Sequence, residues 1–528
     1  MPWLTRADHH DNVGSMGAPI LTISALLAGP DAPALALADT LRCGLTNPEL
    51  RALVGRTHQI LNQSGLKPHD TVAVALKNGP ETAALFIALV TYCRVAPLNP
   101  GYTQNEIAFA LRDLRASAIV TSSDVPEALR AAEECGVRRM IIETSGAPPI
   151  GVFELTCDVP PMPPAALPPA PGPDDIALLL HTSGTTARPK LVPLTQRNLA
   201  LSARGVADSL GLSPADTCLS IMPVFHVHGL VAGLLASLAA GATVCLAPGF
   251  KATSFFSWLD ASQATWYTAV PTMHQAILAR ARHNKDAVDR HRLRFIRSCS
   301  STLYSSVWEE LRSVFGVPVV NAYGMTEAAH QISSVRPPDS SYATVGLGSG
   351  PEIRIMDADG ELLPPGRVGE IVLRGEQIMS GYLRPEGVNE SAFRHGWFRT
   401  GDEGLQNSDG SLCLTGRLKE MINRGGEKIS PYEVEETLLL HPAVDQAIAF
   451  AWPDAMWGET VAAAIVVEEG CTVQKRDLLR LAGQHLARHK LPQRLFFVAE
   501  IPRGATGKLQ RIGMAERLGG ADGKVARN

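Results

Sequence analysis

Short apolar runs rich in β-branched residues alternate along the chain with longer stretches that carry apolar residues at helical spacing. The runs that predict buried strands are Thr71–Leu76, Ala118–Thr121, Arg139–Ile142, Ile176–Leu180 and Ala242–Leu246. Between them, Glu81–Cys93 and Asn105–Leu114 have the periodicity of amphipathic helices. This alternation is typical of α/β proteins with largely parallel sheets, and we predict an α/β fold.

One uncharged segment, Leu230–Ala247, has 18 residues, which is close to the minimum length of a membrane-spanning helix. Gly241 divides it into a half rich in Leu and Ala and a strand-like half that begins at Ala242. We interpret the segment as a buried helix followed by a buried strand, and we predict no membrane span.

Two changes of pattern indicate how the chain is divided. The Pro- and Ala-rich stretch Pro160–Pro173 predicts an exposed extended connector, because proline fixes φ and lacks a backbone donor. A second change near Gly416 precedes a compact α+β unit, so the predicted domains are residues 1–416 and 417–528. The elements predicted in the second domain are the helices Pro431–His441 and Lys475–Arg488 and the strands Ala447–Ala451, Val461–Val467 and Arg494–Val498.

Length and charge narrow the class of function. A chain of 528 residues is too long for one hydrophobic core, and its 45% apolar and 19% charged residues are typical of a globular enzyme. The net charge of −4 provides no general attraction for nucleic acid or an anionic membrane. We therefore predict small-molecule substrates and no nucleic-acid partner.

The cysteines and the termini bear on the compartment. Nine cysteines are scattered without a Cys-x-x-Cys pair, which argues against a disulfide framework and against a structural zinc site. The first 16 residues lack a secretory apolar stretch, and the last residues lack a peroxisomal Ser-Lys-Leu signal. The expected location is cytoplasmic.

The segment that follows the predicted strand Ile176–Leu180 is rich in hydroxyl side chains. Such a segment is often a plain turn, and it lacks the Gly-x4-Gly-Lys-Ser/Thr spacing of a Walker A loop. Its hydroxyls, flexible glycine and lysine nevertheless suit the binding of phosphate oxygens. The residues expected at the phosphates are Thr182, Ser183, Gly184, Thr185, Thr186 and Lys190.

The order Ser-Gly-Thr-Thr-x-x-Pro-Lys resembles the phosphate loop of the adenylate-forming superfamily, although Leu191 stands where that family commonly has glycine. Four further segments resemble the family's motifs in the same order, namely Ala322–Glu327, Trp397–Asp402, Gly416–Lys428 and Pro502–Lys508. The resemblance covers the chain from about Leu21 to Arg511. It implies a large N-terminal adenylate-forming domain with several subdomains and a small mobile C-terminal lid domain.

The resemblance also implies roles around ATP. Tyr323 is expected to stack on adenine, Asp402 to accept from the ribose hydroxyls, and Arg417 to contact ribose or phosphate. Thr326 is expected at the α-phosphate and Glu327 at Mg²⁺, which usually takes one or two carboxylates together with phosphate oxygens.

Other implied roles belong to the lid. Lys508 is the expected catalytic lysine, and Lys419 is the expected hinge between the two half-reactions. Gly425 and Gly426 are expected to line the path of coenzyme A, where glycine permits close approach of the backbone. The implied co-substrates and cofactor are ATP, coenzyme A and Mg²⁺.

The acid must be inferred from the expected pocket. In this superfamily it lies among the segments that correspond to Phe225–Gly229, Arg297–Thr302 and Ala328–Gln331. These segments are polar, and one of them begins with Arg297. We therefore expect a small acid with a second carboxylate, because that carboxylate would be buried without partners in an apolar pocket. The polar residues expected to line the pocket are His226, His228, Ser298, Ser300 and His330.

Longer segments are similar to the oxalate–CoA ligases of plants and fungi, notably Phe225–Leu230, Ala264–Thr272, Leu293–Ser300 and Ile422–Pro431. That resemblance implies that oxalate is held by His228 or His226, by Ser300 and by His330. Ser300 is expected to lie at the ATP site as well.

Other functions remain open. Malonate or another short acid is the alternative substrate, and an adenylating domain that loads a carrier protein would share every ATP motif. A luciferase-like oxygenase is disfavoured by the small polar pocket. A non-catalytic scaffold is expected to have lost Lys508 or Glu327, and both are present.

Overall fold

The structure is a computed structural model that describes residues 21–28, 35–40, 44–144, 151–182, 189–503 and 509–519. Within these ranges the strands assemble into four sheets, with helices between successive parallel strands. The α/β architecture predicted from the alternating pattern is confirmed.

The N-terminal sheet has parallel strands in its middle and antiparallel strands at both edges. At one edge a hairpin brings Thr182 opposite Lys190, so both ends of the predicted phosphate loop meet there. In spatial order the strands are Glu154–Cys157, Arg138–Glu143, Ala118–Thr121, Thr71–Ala75, Arg94–Pro97, Ile176–Thr182 and Lys190–Thr195.

The central sheet is parallel from Val319–Met325 to Leu35–Asp39 and antiparallel at its ends. Ligands of such sheets bind beyond the carboxyl ends of the parallel strands, and this edge carries the residues discussed below. In spatial order the strands are Leu347–Gly348, His330–Ser334, Val319–Met325, Phe295–Ser298, Trp266–Ala269, Thr217–Ser220, Thr243–Leu246, Leu35–Asp39 and Leu45–Thr46.

Two further sheets follow along the chain. The connecting sheet contains Glu352–Met356, Gly369–Arg374, Phe393–Arg394, Trp397–Gln406 and Leu412–Arg417. The C-terminal sheet contains Ile422–Arg424, Glu427–Ile429, Val444–Asp454, Gly458–Val467 and Arg494–Phe497. Strand pairing therefore passes from one sheet to the other between Arg417 and Ile422, close to the predicted boundary at Gly416.

Side-chain caps start several of the helices. Thr46 and Glu49, and likewise Thr103 and Glu106, form capping boxes that satisfy backbone donors in the first turn. The α-helices are Ile23–Leu27, Asn47–Gln63, Pro80–Val90, Gln104–Leu114, Pro126–Cys135, Gln196–Leu210, Ala236–Ala239, Ala252–Ser262, Pro271–Ala281, Lys285–Arg290, Ser305–Phe315, Val388–Ala392, Pro431–Leu438, Lys475–His485 and Met514–Arg517. Two 3₁₀ turns cover Thr326–Ala328 and Arg488–Lys490.

The uncharged segment Leu230–Ala247 lies in the core, as predicted. It forms most of a π-helix at His228–Leu235, a short helix at Ala236–Ala239 and the strand Thr243–Leu246. The residues of the π-helix are all buried. No helix in the described part of the chain is long and apolar enough to cross a membrane.

The helix Pro431–Leu438 of the C-terminal unit contacts the start of the helix Ser305–Phe315. The phenol of Tyr304 donates to Glu435 at 2.6 Å, and the backbone N–H of Ser305 donates to Glu436 at 3.0 Å. A carboxylate at the N-terminus of a helix interacts favourably with the helix dipole. These two contacts form what we call the interdomain seam.

Candidate active site

The candidate active site is built around Arg297, which is fully buried on the strand Phe295–Ser298. Arg297 is in register with Thr268 on the neighbouring parallel strand, so their side chains project from the same face. Its Nη1 donates to Thr268 Oγ1 at 3.2 Å, and its Nη2 donates to Gln331 Oε1 at 2.9 Å. The amide of Gln331 is in turn held by Ser209 and Ser349.

Two imidazole rings complete the surroundings of the guanidinium. Nη2 of Arg297 lies 3.0 Å from Nε2 of His330, and Nη1 lies 3.5 Å from Nε2 of His228. The two rings stack on each other, with centroids 5.1 Å apart and planes inclined by 23°. Nε2 of His228 also lies 2.6 Å from Thr268 Oγ1, and Nδ1 lies 3.0 Å from Ser300 Oγ. The predicted pocket residues His228, Ser300 and His330 are therefore neighbours.

The backbone is strained where these side chains leave it. Ser300 has φ +77° and His330 has φ +96°, a region that residues with a side chain rarely adopt. His330 is accommodated because Gly324 lies opposite: a Cβ at that position would meet the carbonyl oxygen of His330 at 1.7 Å. Strain of this kind persists where the surrounding structure fixes it, often at binding sites.

The charge of Arg297 is not balanced locally. In the described ranges no carboxylate is paired with its guanidinium, and its partners are hydroxyl, amide and imidazole groups together with the thiol of Cys299. Burial lowers the pKa of the Arg297 guanidinium below its ordinary value. A buried charge is normally paired, because leaving it unpaired costs several kcal/mol. The pocket is therefore suited to receive an anion.

A second group of residues links the strand Val319–Met325 to the strands Trp397–Gln406 and Leu412–Arg417 of the connecting sheet. The phenol of Tyr323 donates to Asp402 at 2.6 Å, and Arg417 donates to the other oxygen of Asp402 at 2.8 Å. The carboxylate of Asp402 raises the pKa of Arg417, and burial together with Asp402 raises the pKa of Tyr323. The structure thus brings the predicted adenine, ribose and phosphate residues together.

The predicted metal ligand, Glu327, is buried in the 3₁₀ turn that follows this strand. Its carboxylate accepts from the phenol of Tyr382 at 2.7 Å, and Lys190 Nζ lies 4.3 Å from the centroid of the Tyr382 ring. Burial lowers the pKa of Lys190, with Glu327 opposing this shift and Lys419 adding to it. Thr326 directly precedes Glu327, so this turn lies between Tyr323 and His330 in the chain.

Other predicted residues lie elsewhere. Thr182 ends a strand, with its hydroxyl 3.5 Å from the carbonyl oxygen of Lys190. Gly425 and Gly426 both have positive φ, at +59° and +96°, in the hairpin of the C-terminal sheet. Lys419 lies in the turn after Arg417. The remaining predicted residues Ser183, Gly184, Thr185, Thr186 and Lys508 lie outside the described residues.

The structure also distinguishes between the two candidate histidines of the pocket. His228 forms hydrogen bonds with Thr268 and Ser300, whereas the ring of His226 lies 4.6 Å from that of Phe225. Of these two histidines, His228 is the one with described contacts to Arg297, Thr268 and Ser300.

Sequence reasoning left four residues of the site without a role: Arg297, Thr268, Gln331 and Tyr382. A charged residue within an otherwise apolar strand was the available signal for Arg297. No comparable signal exists for Thr268 or Tyr382, because threonine and tyrosine are ordinary strand and core residues.

Comparisons with known proteins show the family of the chain. The AMP-binding enzyme model matches residues 25–383, and the AMP-binding enzyme C-terminal domain model matches residues 433–508. The chain is 40% identical to an oxalate–CoA ligase from Arabidopsis thaliana, over 94% of this chain and 98% of the relative. It is 35% identical to a sulfoacetate–CoA ligase from Cupriavidus necator, over 93% and 97% of the two chains.

A solved structure has the same fold. ATP-bound MatB from Rhodopseudomonas palustris superposes with a TM-score of 0.82 at 27% sequence identity. The match covers 92% of this chain and 96% of that one, so both the large and the small domain have counterparts.

Proposed function

The chain belongs to the AMP-binding enzyme family and is an AMP-forming acyl-CoA ligase, and we propose that the acid it activates is oxalate. The enzyme would adenylate one carboxylate of oxalate and transfer the oxalyl group to coenzyme A. The observation that carries this proposal is Arg297, a fully buried guanidinium without a carboxylate partner in the described ranges.

An acid with a second negative charge would balance the positive charge of Arg297. During adenylation the reacting carboxylate becomes part of a mixed anhydride with AMP and loses its charge, so only a second anionic group would remain beside Arg297. A monocarboxylic acid would leave the guanidinium unbalanced, which is unfavourable in a buried site. Short length is favoured too, because the rings of His228 and His330 are buried and stacked on each other, which makes the surroundings of Arg297 polar and closely packed.

The proposed nucleotide residues fit ATP chemically. Asp402 can accept from the ribose hydroxyls, and Tyr323 presents a ring to adenine. Lys190 adds positive charge beside Glu327. The single buried carboxylate of Glu327 fits Mg²⁺, which binds one or two carboxylates plus phosphate oxygens. When bound there, Mg²⁺ supplies charge to the phosphate oxygens.

The reaction has two halves. In the first, a carboxylate oxygen attacks the α-phosphorus of ATP, the bond to pyrophosphate breaks, and acyl-AMP forms. We assign Lys508 to neutralise the charge that develops, and Thr326 to contact the α-phosphate. In the second, the thiol of coenzyme A attacks the acyl carbonyl, AMP leaves, and the thiol proton is released. Rotation about Lys419 would exchange Lys508 for the Gly425–Gly426 loop between the halves.

A panel of acids tests the substrate. Pyrophosphate release and thioester formation are measured with ATP, Mg²⁺ and coenzyme A for oxalate, malonate, sulfoacetate, acetate and oxamate. Oxamate is the matched control, because it keeps the size of oxalate and replaces one carboxylate by a neutral amide. The Lys508→Ala variant, in which adenylation should fall by orders of magnitude, provides the background.

The highest kcat/KM is expected for oxalate, with acetate and oxamate far below it. A preference for malonate or sulfoacetate would mean that the substrate is another short dianion and not oxalate. A preference for acetate or a longer monocarboxylic acid would reject it. Adenylation without turnover of free coenzyme A would favour a carrier protein as the acceptor.

A further inference from the structure

We propose that Arg297 and Thr268 are positioning residues that fix the hydrogens of the pocket, so that His330 Nδ1 and the Ser300 hydroxyl both donate to the acid. The inference rests on the proposed function, because it concerns how the same pocket recognises an anionic acid. It begins from a property of arginine: the guanidinium has N–H donors and no acceptor, so each polar atom that it contacts must accept.

The contact with His330 fixes the hydrogen of that ring. Nη2 of Arg297 lies 3.0 Å from Nε2, so Nε2 accepts and carries no hydrogen. The hydrogen of the neutral imidazole is then on Nδ1. A second hydrogen would place an imidazolium beside a buried guanidinium, which like-charge repulsion in a low dielectric disfavours. His330 is therefore a donor at Nδ1.

The contact with Thr268 fixes the other ring. Thr268 Oγ1 lies 2.6 Å from His228 Nε2, and one hydrogen lies between them. Nη1 of Arg297 approaches the same Nε2 to 3.5 Å, so a hydrogen on Nε2 would face an N–H of the guanidinium. The threonine hydroxyl is therefore the donor to Nε2, while its oxygen accepts from Nη1 at 3.2 Å.

The hydrogen bonds that run from Arg297 through Thr268 to His228 continue to Ser300, and we call this series the hydrogen-bond chain. With Nε2 of His228 accepting, Nδ1 carries the hydrogen and donates to Ser300 Oγ at 3.0 Å. The hydroxyl hydrogen of Ser300 is then turned away from the ring. Ser300 is half-buried, whereas Arg297, Thr268 and His228 are buried. The hydrogen-bond chain thus runs from the buried guanidinium to a hydroxyl that can reach a bound molecule.

A pocket with these hydrogens presents donors to the acid. A carboxylate is an acceptor only, so it matches every one of them. An amide of the same shape carries two N–H donors and meets donors in return, which leaves buried groups unpaired. The hydrogen-bond chain therefore accounts for a specific expectation, the discrimination of oxalate against oxamate.

Substitution of Thr268 tests the hydrogen-bond chain in the complete enzyme. Thr268→Val keeps the shape and removes the hydroxyl, so only the longer contact with Arg297 remains to keep the ring hydrogen of His228 on Nδ1, and the position of that hydrogen is less firmly fixed. We expect the KM for oxalate to rise roughly tenfold and the preference for oxalate over oxamate to narrow, with the KM for ATP unchanged. Thr268→Ser, which keeps the hydroxyl, should restore parent values.

A matched threonine controls for packing. Thr121 is equally buried, and its hydroxyl donates to the carbonyl oxygen of Ala75 in the N-terminal sheet. Thr121→Val should therefore lower thermal stability without moving the KM for oxalate. Equal KM values and equal oxalate-to-oxamate ratios in Thr268→Val and the parent would overturn the proposal.

A second measurement needs no acid. ¹⁵N NMR of histidine-labelled protein, with signals assigned through His228→Gln and His330→Gln, reports which ring nitrogen carries the hydrogen. Both rings should carry it on Nδ1 in the parent, and a hydrogen on Nε2 of either ring would reject the hydrogen-bond chain. Should the acid panel select another substrate, this result is unaffected, and the KM comparison is made with that acid.

Discussion

Two arginines, the fully buried Arg297 in the acid pocket and the largely buried Arg511 in the C-terminal unit, are held in opposite ways. Arg511 donates to the two carboxylate oxygens of Glu435 at 2.8 and 3.0 Å and also contacts the carboxylate of Glu420. Arg297 contacts hydroxyl, amide and imidazole groups instead. One guanidinium has its counter-charges within the fold, and the other has none in the described ranges.

The surroundings move the two pKa values in opposite directions. Burial lowers the pKa of Arg297. Burial opposes the charge of Arg511 as well, but Glu435, Tyr432 and Glu420 raise the pKa of Arg511 well above its ordinary value. The presence or absence of a carboxylate partner therefore distinguishes a structural ion pair from a site that can bind an anionic ligand. At Arg297, where the described residues provide no carboxylate, the substrate can supply the negative charge.

The largest effect is expected at Arg511. Arg511→Met leaves the fully buried carboxylate of Glu435 without its cation, which should lower the unfolding free energy of the C-terminal unit by about 3–5 kcal/mol. Hydrogen exchange of the helix Pro431–Leu438 measures this loss. The double variant Arg511→Met/Glu435→Gln should recover part of it, because no buried charge is then left alone. A single variant as stable as the parent would remove Arg511 from the comparison.

Arg297→Met should affect the binding of oxalate more than the stability of the fold. Here no carboxylate of the described residues loses its partner, so we expect a smaller loss of stability than in Arg511→Met. The acid site, however, loses its buried positive charge and the contacts that align His228 and His330, which should raise the KM for oxalate about a hundredfold while the KM for ATP stays near the parent value. Steady-state kinetics and calorimetry on the two variants test both halves. An unchanged KM for oxalate would show that Arg297 serves the fold alone.

His330→Phe sharpens the comparison within the pocket. Phenylalanine keeps the bulk of the ring and removes the donor, so the KM for oxalate should rise between roughly ten- and a hundredfold. His228→Phe should act in the same direction, and the double variant should be non-additive because both rings serve one small dianion. If His330→Phe lost only stability, the histidine would be a packing residue.

The smallest effect is expected at the interdomain seam. Tyr304→Phe removes one donor from Glu435, which keeps Arg511 and the backbone N–H of Ala449 as partners. The C-terminal unit should lose about 1 kcal/mol of stability, and the KM for oxalate should not change. Tyr342→Phe, at an exposed tyrosine, is the control for loss of a phenol. A loss as large as that of Arg511→Met would mean that the seam and the ion pair act as one.

Much of the fold could be predicted because it depends on local periodicity. The strand Ala118–Thr121 has the predicted bounds, and the helix predicted at Pro431–His441 ends three residues earlier, at Leu438. The hairpin partners at the sheet edges could not be predicted, since an antiparallel edge strand has the same alternation as a parallel one. The division at residue 416 stays a prediction.

The site divides in the same way. Contiguous motifs such as Ala322–Glu327 could be found from residue order, because their parts are neighbours in the chain. The surroundings of Arg297 could not, since its partners Thr268, His228 and His330 come from three other segments. Only the register between parallel strands brings Thr268 beside Arg297, and no spacing in the sequence encodes that register.

The interdomain seam has a consequence for movement. In the proposed rotation about Lys419, Tyr304 and Ser305 stay behind, while Glu420, Glu435 and Arg511 all travel together because they follow the hinge in the chain. Glu435 thus carries its own counter-ion when it parts from Tyr304, so the movement leaves this buried carboxylate paired. The interdomain seam itself can be released by exchanging its two hydrogen bonds with water, so the movement requires no local unfolding there.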